Sequence, residues 1–240
     1  MRYLMTISYD GSKYYGFQKL NDKKSIQGEL ERVLSKINKR EVFVKGAGRT
    51  DRGVHAYGQC VHFDLDINIS VDGLIKAVNS MIDKYIHVLD CKIVSSDFHA
   101  RFLVKEKKYK YIINTGKFNP ILEDYVYNYN NELNITNMKR ASKYLIGKHS
   151  FKVFVSGDRD NYNSEIFKVI FNKDKDFLSI TFVGKSFYRY MVRNMVGALI
   201  LVGKNKISVD EFKNMLDSDD SKYTYMTVPA NGLYLESVRY

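Results

Sequence analysis

One aspartate stands between two arginines in a glycine-rich stretch: Gly46-Ala47-Gly48-Arg49-Thr50-Asp51-Arg52-Gly53-Val54-His55-Ala56. The glycines permit backbone angles that other residues avoid and let a ligand come close to the main chain. Guanidinium groups within about 4–6 Å favour the charged form of a carboxylate, so Asp51 is expected to stay ionised even when shielded from water. An ionised carboxylate attacks a carbon or removes a proton, and does not serve as an acid at neutral pH. The plain alternative is an ion-paired aspartate that stabilises a tight turn. The histidines (His55, His62, His87, His99, His149) never pair at the spacing of a zinc site, and Cys60 and Cys91 stand alone. No metal and no disulfide framework are expected.

The flanking pattern says what holds this loop. Tyr3, Met5, Ile7 and Tyr9 alternate with Arg2, Thr6 and Ser8, the signature of a strand with one buried face over 2–10. Ile26, Leu30, Val33, Leu34 and Ile37 recur at helical spacing behind Ser25, a good capping residue. A short strand at 42–46 and a longer one at 57–65 then bracket the loop. In the latter, Tyr57, Gln59, Val61, Phe63 and Leu65 share a face. A helix follows Ser70 and runs to about Ile82, and strands resume at 86–95 and 107–114. In the latter, Tyr109, Tyr111 and Ile113 face one way, Lys108, Lys110 and Ile112 the other. The second half carries a helix from about Asn137 to Ile146, with Thr136 as its cap. Strands at 166–172 and 177–183 follow, then an apolar helix from Tyr190 to Val202. Ser208 and Glu211 form a capping box, opening a helix with Phe212, Met215 and Leu216. A last strand covers 233–239. The pattern reads as two α+β halves, 1–103 and 104–240, on a mostly antiparallel sheet.

Charge points to the partner. Lys and Arg number 38 against 27 Asp and Glu, a formal charge of +11. Six bases (Arg101, Lys105, Lys107, Lys108, Lys110, Lys117) face one acid, Glu106, within 101–117, and no acid occurs between Phe177 and Val209. Clustered positive charge favours a polyanion, because each cation placed on a phosphate releases condensed counterions. No run approaches the length of a membrane span, and no signal-peptide pattern opens the chain. A soluble, cytoplasmic protein is expected.

The string Gly48-Arg49-Thr50-Asp51-x-Gly53-Val54-His55-Ala56, with Gly58-Gln59 and Val61-His62-Phe63, resembles the catalytic loop of the TruA family of tRNA pseudouridine synthases. Further blocks extend the resemblance along nearly the whole chain. They are Tyr9-Asp10-Gly11, Gly16-Phe17-Gln18, Gln27 and Glu29-Leu30, Asp97 to Phe102 and Lys108 to Tyr111. Phe187, Met191 to Gly197, and Pro229-Ala230-x-Gly232-Leu233-Tyr234-Leu235 complete the set. The resemblance implies the pseudouridine synthase fold: two similar α+β halves sharing a mostly antiparallel central sheet flanked by helices, with a basic active-site cleft between them. It implies a homodimer without metal or organic cofactor, acting on uridines at positions 38, 39 and 40 of the tRNA anticodon stem-loop. It places the catalytic aspartate on Asp51, its partner arginine on Arg193 and a further catalytic arginine on Arg49. Substrate binding falls on Tyr109, which stacks on the base, and on Leu233. Three departures stand out: Arg52 replaces the small residue usual after the aspartate, Phe17 stands where Trp is frequent, and Tyr188-Arg189-Tyr190 varies the segment before Met191.

These residue types suit the chemistry. Forming pseudouridine breaks the bond from C1′ to N1, turns the uracil over and rejoins it through C5, which requires flipping the nucleotide at a cost of a few kcal/mol. An aromatic face repays about 1–3 kcal/mol by stacking. One carboxylate suffices, unlike glycoside hydrolysis by a carboxylate pair. Whether Asp51 attacks C1′, attacks C6 or takes the C2′ proton is open. A tRNA-binding protein without turnover, and a nuclease or glycosidase, are the competing classes. The first gives Asp51 no purpose beside phosphate, and the second lacks a metal-ligand cluster or acid partner.

Overall fold

The computed structural model describes residues 1–218 and 225–240. In chain order the elements are β1 (Arg2–Tyr9), α1 (Ile26–Asn38), β2 (Lys45–Gly46), β3 (His55–Asp64), α2 (Val71–Met81) and β4 (Ile86–Val94). They continue with β5 (Glu106–Asn114), β6 (Tyr127–Asn128), α3 (Ile135–Ser142), β7 (Gly147–Ser150), β8 (Asn163–Asp174) and β9 (Phe177–Gly184). The last are α4 (Met191–Gly203), α5 (Val209–Ser218) and β10 (Leu233–Arg239). The fold is mixed α+β, with mostly antiparallel strands flanked by helices, as the sequence pattern requires. Contacts group Met1–Lys105 with Tyr234–Tyr240 as one unit and Glu106–Leu233 as another.

In the first unit β1 pairs antiparallel with both β3 and β4, and β10 joins β3 in parallel through Tyr234↔His55 and Leu235↔Ala56. The alternation in β1 is realised: Tyr3, Met5, Ile7 and Tyr9 are buried. β3 departs from a one-faced strand. Its residues from Gly58 to Phe63 are all buried, whereas Tyr57, expected on the buried face, is exposed. The reason is its place between β1 and β10, with a second cluster on the other face: Leu4, Cys60, Ala47, Ala100 and Val104, joined by Phe98, Val238 and Tyr240. The strand expected at 42–46 is regular only over Lys45–Gly46, because α1 takes over the pairing before it. Glu31 accepts from Val44 N at 3.1 Å, and Gln27 Nε2 donates to Val44 O at 3.0 Å. Ser25 caps α1 through Gly28 N, and Ser70 caps α2 through Gly73 N.

In the second unit β9 pairs antiparallel with β5 and β8, β7 edges β8, and β6 lies parallel to β5. The period-two pattern of β5 holds: Tyr109, Tyr111 and Ile113 are buried between half-buried Lys108, Lys110 and Ile112. α3 begins earlier than expected. Asn134, not Thr136, caps it by accepting from Asn137 N, and the expected helix to Ile146 tightens into a 3₁₀ turn over Lys143–Leu145. Both residue types cap well, but Asn134 N also donates to Gly203 O at 2.8 Å, which anchors the helix start at that residue. The Ser208–Glu211 capping box forms in full: Glu211 N donates to Ser208 Oγ at 3.1 Å and Ser208 N to Glu211 Oε2 at 2.7 Å. α4 is buried almost all round, with Leu199, Met195 and Val196 in the core. Gly197 is required there, since a Cβ would stand 2.0 Å from the Met226 carbonyl oxygen.

Candidate active site

The loop from Gly48 to Val54 is fixed at both sides by main-chain contact with an earlier segment. Phe17 N donates to Thr50 O at 3.1 Å. Gly16 lies so close that a Cβ would be 2.9 Å from Thr50 O and 3.3 Å from the Asp51 carbonyl carbon, and its φ is +98°. Gly11 packs likewise on Val54, where a Cβ would meet the carbonyl oxygen at 1.9 Å. The glycines of Asp10-Gly11 and Gly16-Phe17 therefore serve Asp51, not their own segment. Val54 N returns to Asp51 O at 3.2 Å, closing a four-residue turn whose third residue, Gly53, has φ +82°. That position takes glycine readily and resists residues with a Cβ.

Side chains complete the frame. The Tyr9 and Thr50 hydroxyls are 2.8 Å apart, and Gln59, fully buried, donates from Nε2 to Gly48 O at 3.0 Å. Burial pushes the Tyr9 phenol up to about 12, against the lowering effect of Thr50 and Gln59, so it stays a neutral hydrogen-bonding group. Gly11 N donates to His55 Nδ1 at 3.1 Å, and the His55 ring stacks on Tyr234 at 4.7 Å. Neutral hydrogen bonds of this kind each contribute about 0.5–1.5 kcal/mol. Their larger effect is to leave the Asp51 turn one geometry. Asp51 itself is half-buried, Thr50 before it is buried, and Arg49 is exposed. The Arg52 guanidinium lies over the Tyr15 ring at 4.4 Å.

The remaining sequence-derived candidates lie in the second unit. Tyr109 is 8% exposed, with its ring edge-to-face with Phe187 at 5.1 Å. Arg193 occupies the first turn of α4, donating from Nε to Val228 O at 2.8 Å, with its guanidinium 5.0 Å from the Tyr190 ring. Tyr190, the helix cap, has φ +62°, a strained angle for an aromatic residue and one that over-determined surroundings must hold. Tyr111 donates to Pro229 O at 2.7 Å and so pins the segment leading to Leu233, which is buried at the start of β10. Burial raises the Tyr111 phenol well above its usual range, and the Arg193 charge opposes that rise. Sequence reasoning missed Tyr9, Gln59 and Tyr15 as neighbours of the loop. Their only signal was membership of the matched blocks or adjacency to them.

His62 and His99 have a structural explanation. Ala100 N donates to His62 Nδ1 at 3.1 Å, and the two rings meet at 4.6 Å. Burial, then the neighbouring His99 and Arg2 charges, lower His62 to about 4. A histidine depressed in the folded state contributes its full stability above the unfolded value near 6.5 and loses it as pH falls toward 4. The melting temperature is expected to drop by about 2–4 °C between pH 7 and pH 5. His62→Gln should flatten that slope, as read by thermal unfolding across the same range. Among the described residues no group of three or more His, Cys, Asp or Glu is arranged to hold a metal.

The sequence model of the family described as tRNA pseudouridine synthase matches residues 5–102 and 141–240. The chain belongs to the tRNA pseudouridine synthase family. Similar proteins carry the same name: a tRNA pseudouridine synthase A of Streptococcus uberis is 39% identical, covering 100% of this chain and 98% of that one. One of Borrelia duttonii is 41% identical over 99% of this chain and 98% of its own length. One of Listeria monocytogenes is 40% identical over 100% and 99%. As a tRNA pseudouridine synthase, the protein is an isomerase acting on tRNA uridine. No helix among the described residues is long and apolar enough to cross a membrane.

Proposed function

We propose that this synthase converts uridines at positions 38, 39 and 40 of the tRNA anticodon stem-loop, with the Asp51 carboxylate as the reacting group on a flipped-out nucleotide. The observation that carries the reading is the framing of Asp51: two glycine contacts, a buried glutamine and a tyrosine–threonine pair hold a single half-buried carboxylate. Preorganisation of that kind is what a group meeting a strained sugar centre needs. Arg49 and Arg193 supply positive charge to the reacting groups, Tyr109 stacks on the uracil, and Leu233 provides an apolar contact. We assign it to the cytoplasm as a homodimer, in keeping with the resemblance.

The test uses stem-loop transcripts carrying a single uridine at 38, 39 or 40, with carbodiimide labelling of the purified product. Labelled product at these positions is expected. Modification only elsewhere in the tRNA would overturn the positional assignment, and release of free uracil would revive a glycosidase. Affinity should also fall steeply with salt: a protein contacting six to ten phosphates loses about 10³–10⁵ in affinity between 50 and 200 mM. A flat profile in a binding titration over that range would count against a phosphate-dominated interface.

A further inference from the structure

Next to Asp51 the structure holds a cluster that the reaction itself does not call for. Arg52 is exposed, and its guanidinium lies over the Tyr15 ring at 4.4 Å. Lys23, also exposed, places its Nζ 4.8 Å from the centre of the same ring. The three are brought together by backbone. Tyr15 N donates to Lys24 O at 2.9 Å, and a bridge between Leu20 and Lys23 closes the intervening turn. Gly16, the residue after Tyr15, is the one packed on the Asp51 main chain.

We propose that Tyr15, Arg52 and Lys23 form a phosphate clamp for the RNA strand flanking the reacting uridine. Like charges do not gather on one ring without a reason. The ring quadrupole attracts each cation, but two cations together at a half-exposed tyrosine still repel, and an intervening anion would relieve that repulsion. A guanidinium whose face lies on an aromatic ring keeps its N–H edges free of that contact, and those edges match two phosphate oxygens. The Tyr15 ring thus holds an exposed guanidinium in place one residue from Asp51, where the backbone of the bound strand would pass. The ligand class is a phosphodiester of single- or double-stranded RNA, adjacent to the nucleotide bound at Asp51. The inference rests on the function proposed above for the site but not on the identity of the three positions.

The experiment measures stem-loop affinity against salt, and turnover kinetics, for the full chain and its Arg52→Ala, Lys23→Ala, Tyr15→Ala and Tyr15→Phe variants. Each lost phosphate contact should reduce the slope of log affinity against log salt by about 0.7–0.9. Arg52→Ala and Lys23→Ala should each do so and raise KM more than they lower kcat. Tyr15→Phe, which keeps the ring, should stay within about twofold of the parent, whereas Tyr15→Ala should weaken binding and combine less than multiplicatively with Arg52→Ala. Lys76→Ala removes an exposed cation from α2 as a control for charge alone. An unchanged slope in Arg52→Ala, an equal change in Lys76→Ala, or full additivity of Tyr15→Ala with Arg52→Ala would each overturn the clamp. Failure of the parent to make pseudouridine would instead overturn the proposed function, since affinity and its salt slope are read without turnover.

Discussion

Asp51→Asn is expected to abolish pseudouridine formation, by at least about a thousandfold in single-turnover rate, because removing a reactive group costs that much or more. The amide matches the carboxylate in size, so the turn closed by Val54 N on Asp51 O has no steric reason to change. What is lost is the negative oxygen. Each of the three routes open to Asp51 needs it, whether the carboxylate attacks C1′, attacks C6 or takes the C2′ proton. Affinity for the stem-loop should remain within several-fold, because phosphate contacts dominate binding. Carbodiimide mapping of product RNA reads the first quantity and a binding titration the second. A variant that modified RNA at the parental rate would remove Asp51 from the chemistry altogether. A variant that lost both binding and activity would point to a role in holding the loop.

The second large effect is expected from a residue that touches no substrate. Gly16→Ala places a methyl group 2.9 Å from Thr50 O and 3.2 Å from Arg52 N, at a φ of +98° that alanine resists. Both atoms are backbone, so no flexible side chain can give way. The loop carrying Asp51 must move, and displacement of a reacting group by about 1 Å costs on the order of a hundredfold in rate. We expect kcat/KM to fall by about that factor in a protein that still folds. Gly157→Ala separates strain from displacement. Its φ is +89°, but nothing lies within 4 Å of the added methyl. It should cost about 1–2 kcal/mol of stability through the backbone angle alone, with turnover intact. Melting temperatures and single-turnover rates of the two variants decide the matter. Equal loss of stability with unequal loss of rate supports the framing of Asp51, and a Gly16→Ala rate within twofold of the parent would refute it.

Much of the candidate site was legible because its chemistry is local. The Gly48-Arg49-Thr50-Asp51-x-Gly53 string announces a charged carboxylate in a tight turn, and the turn forms with Gly53 at positive φ. Periodicity sufficed for β1, β5, α1 and α2, whose faces are set by residues two or four apart and whose caps are single side chains. It misjudged β3, since alternation cannot announce that both faces will be covered from Gly58 to Phe63, nor that Tyr57 will lie exposed with its ring stacked on Tyr234. It also placed the start of α3 two residues late, where Asn134 and Thr136 compete as caps and the apolar spacing does not choose between them.

The sequence by itself determined the family and the basic balance of the chain, and it singled out Asp51 between two arginines as the candidate reactive group. Those follow from residue types and short spacings, which survive without coordinates. Only the tertiary structure decided that β10, the last strand of the chain, joins β3 and stacks Tyr234 on His55. It alone decided that Gly11 and Gly16 close on Val54 and Thr50, and that Arg52 turns to Tyr15. These are contacts between residues more than thirty positions apart, or choices among rotamers of a long side chain. Burial and close packing select them, and no local pattern encodes that selection.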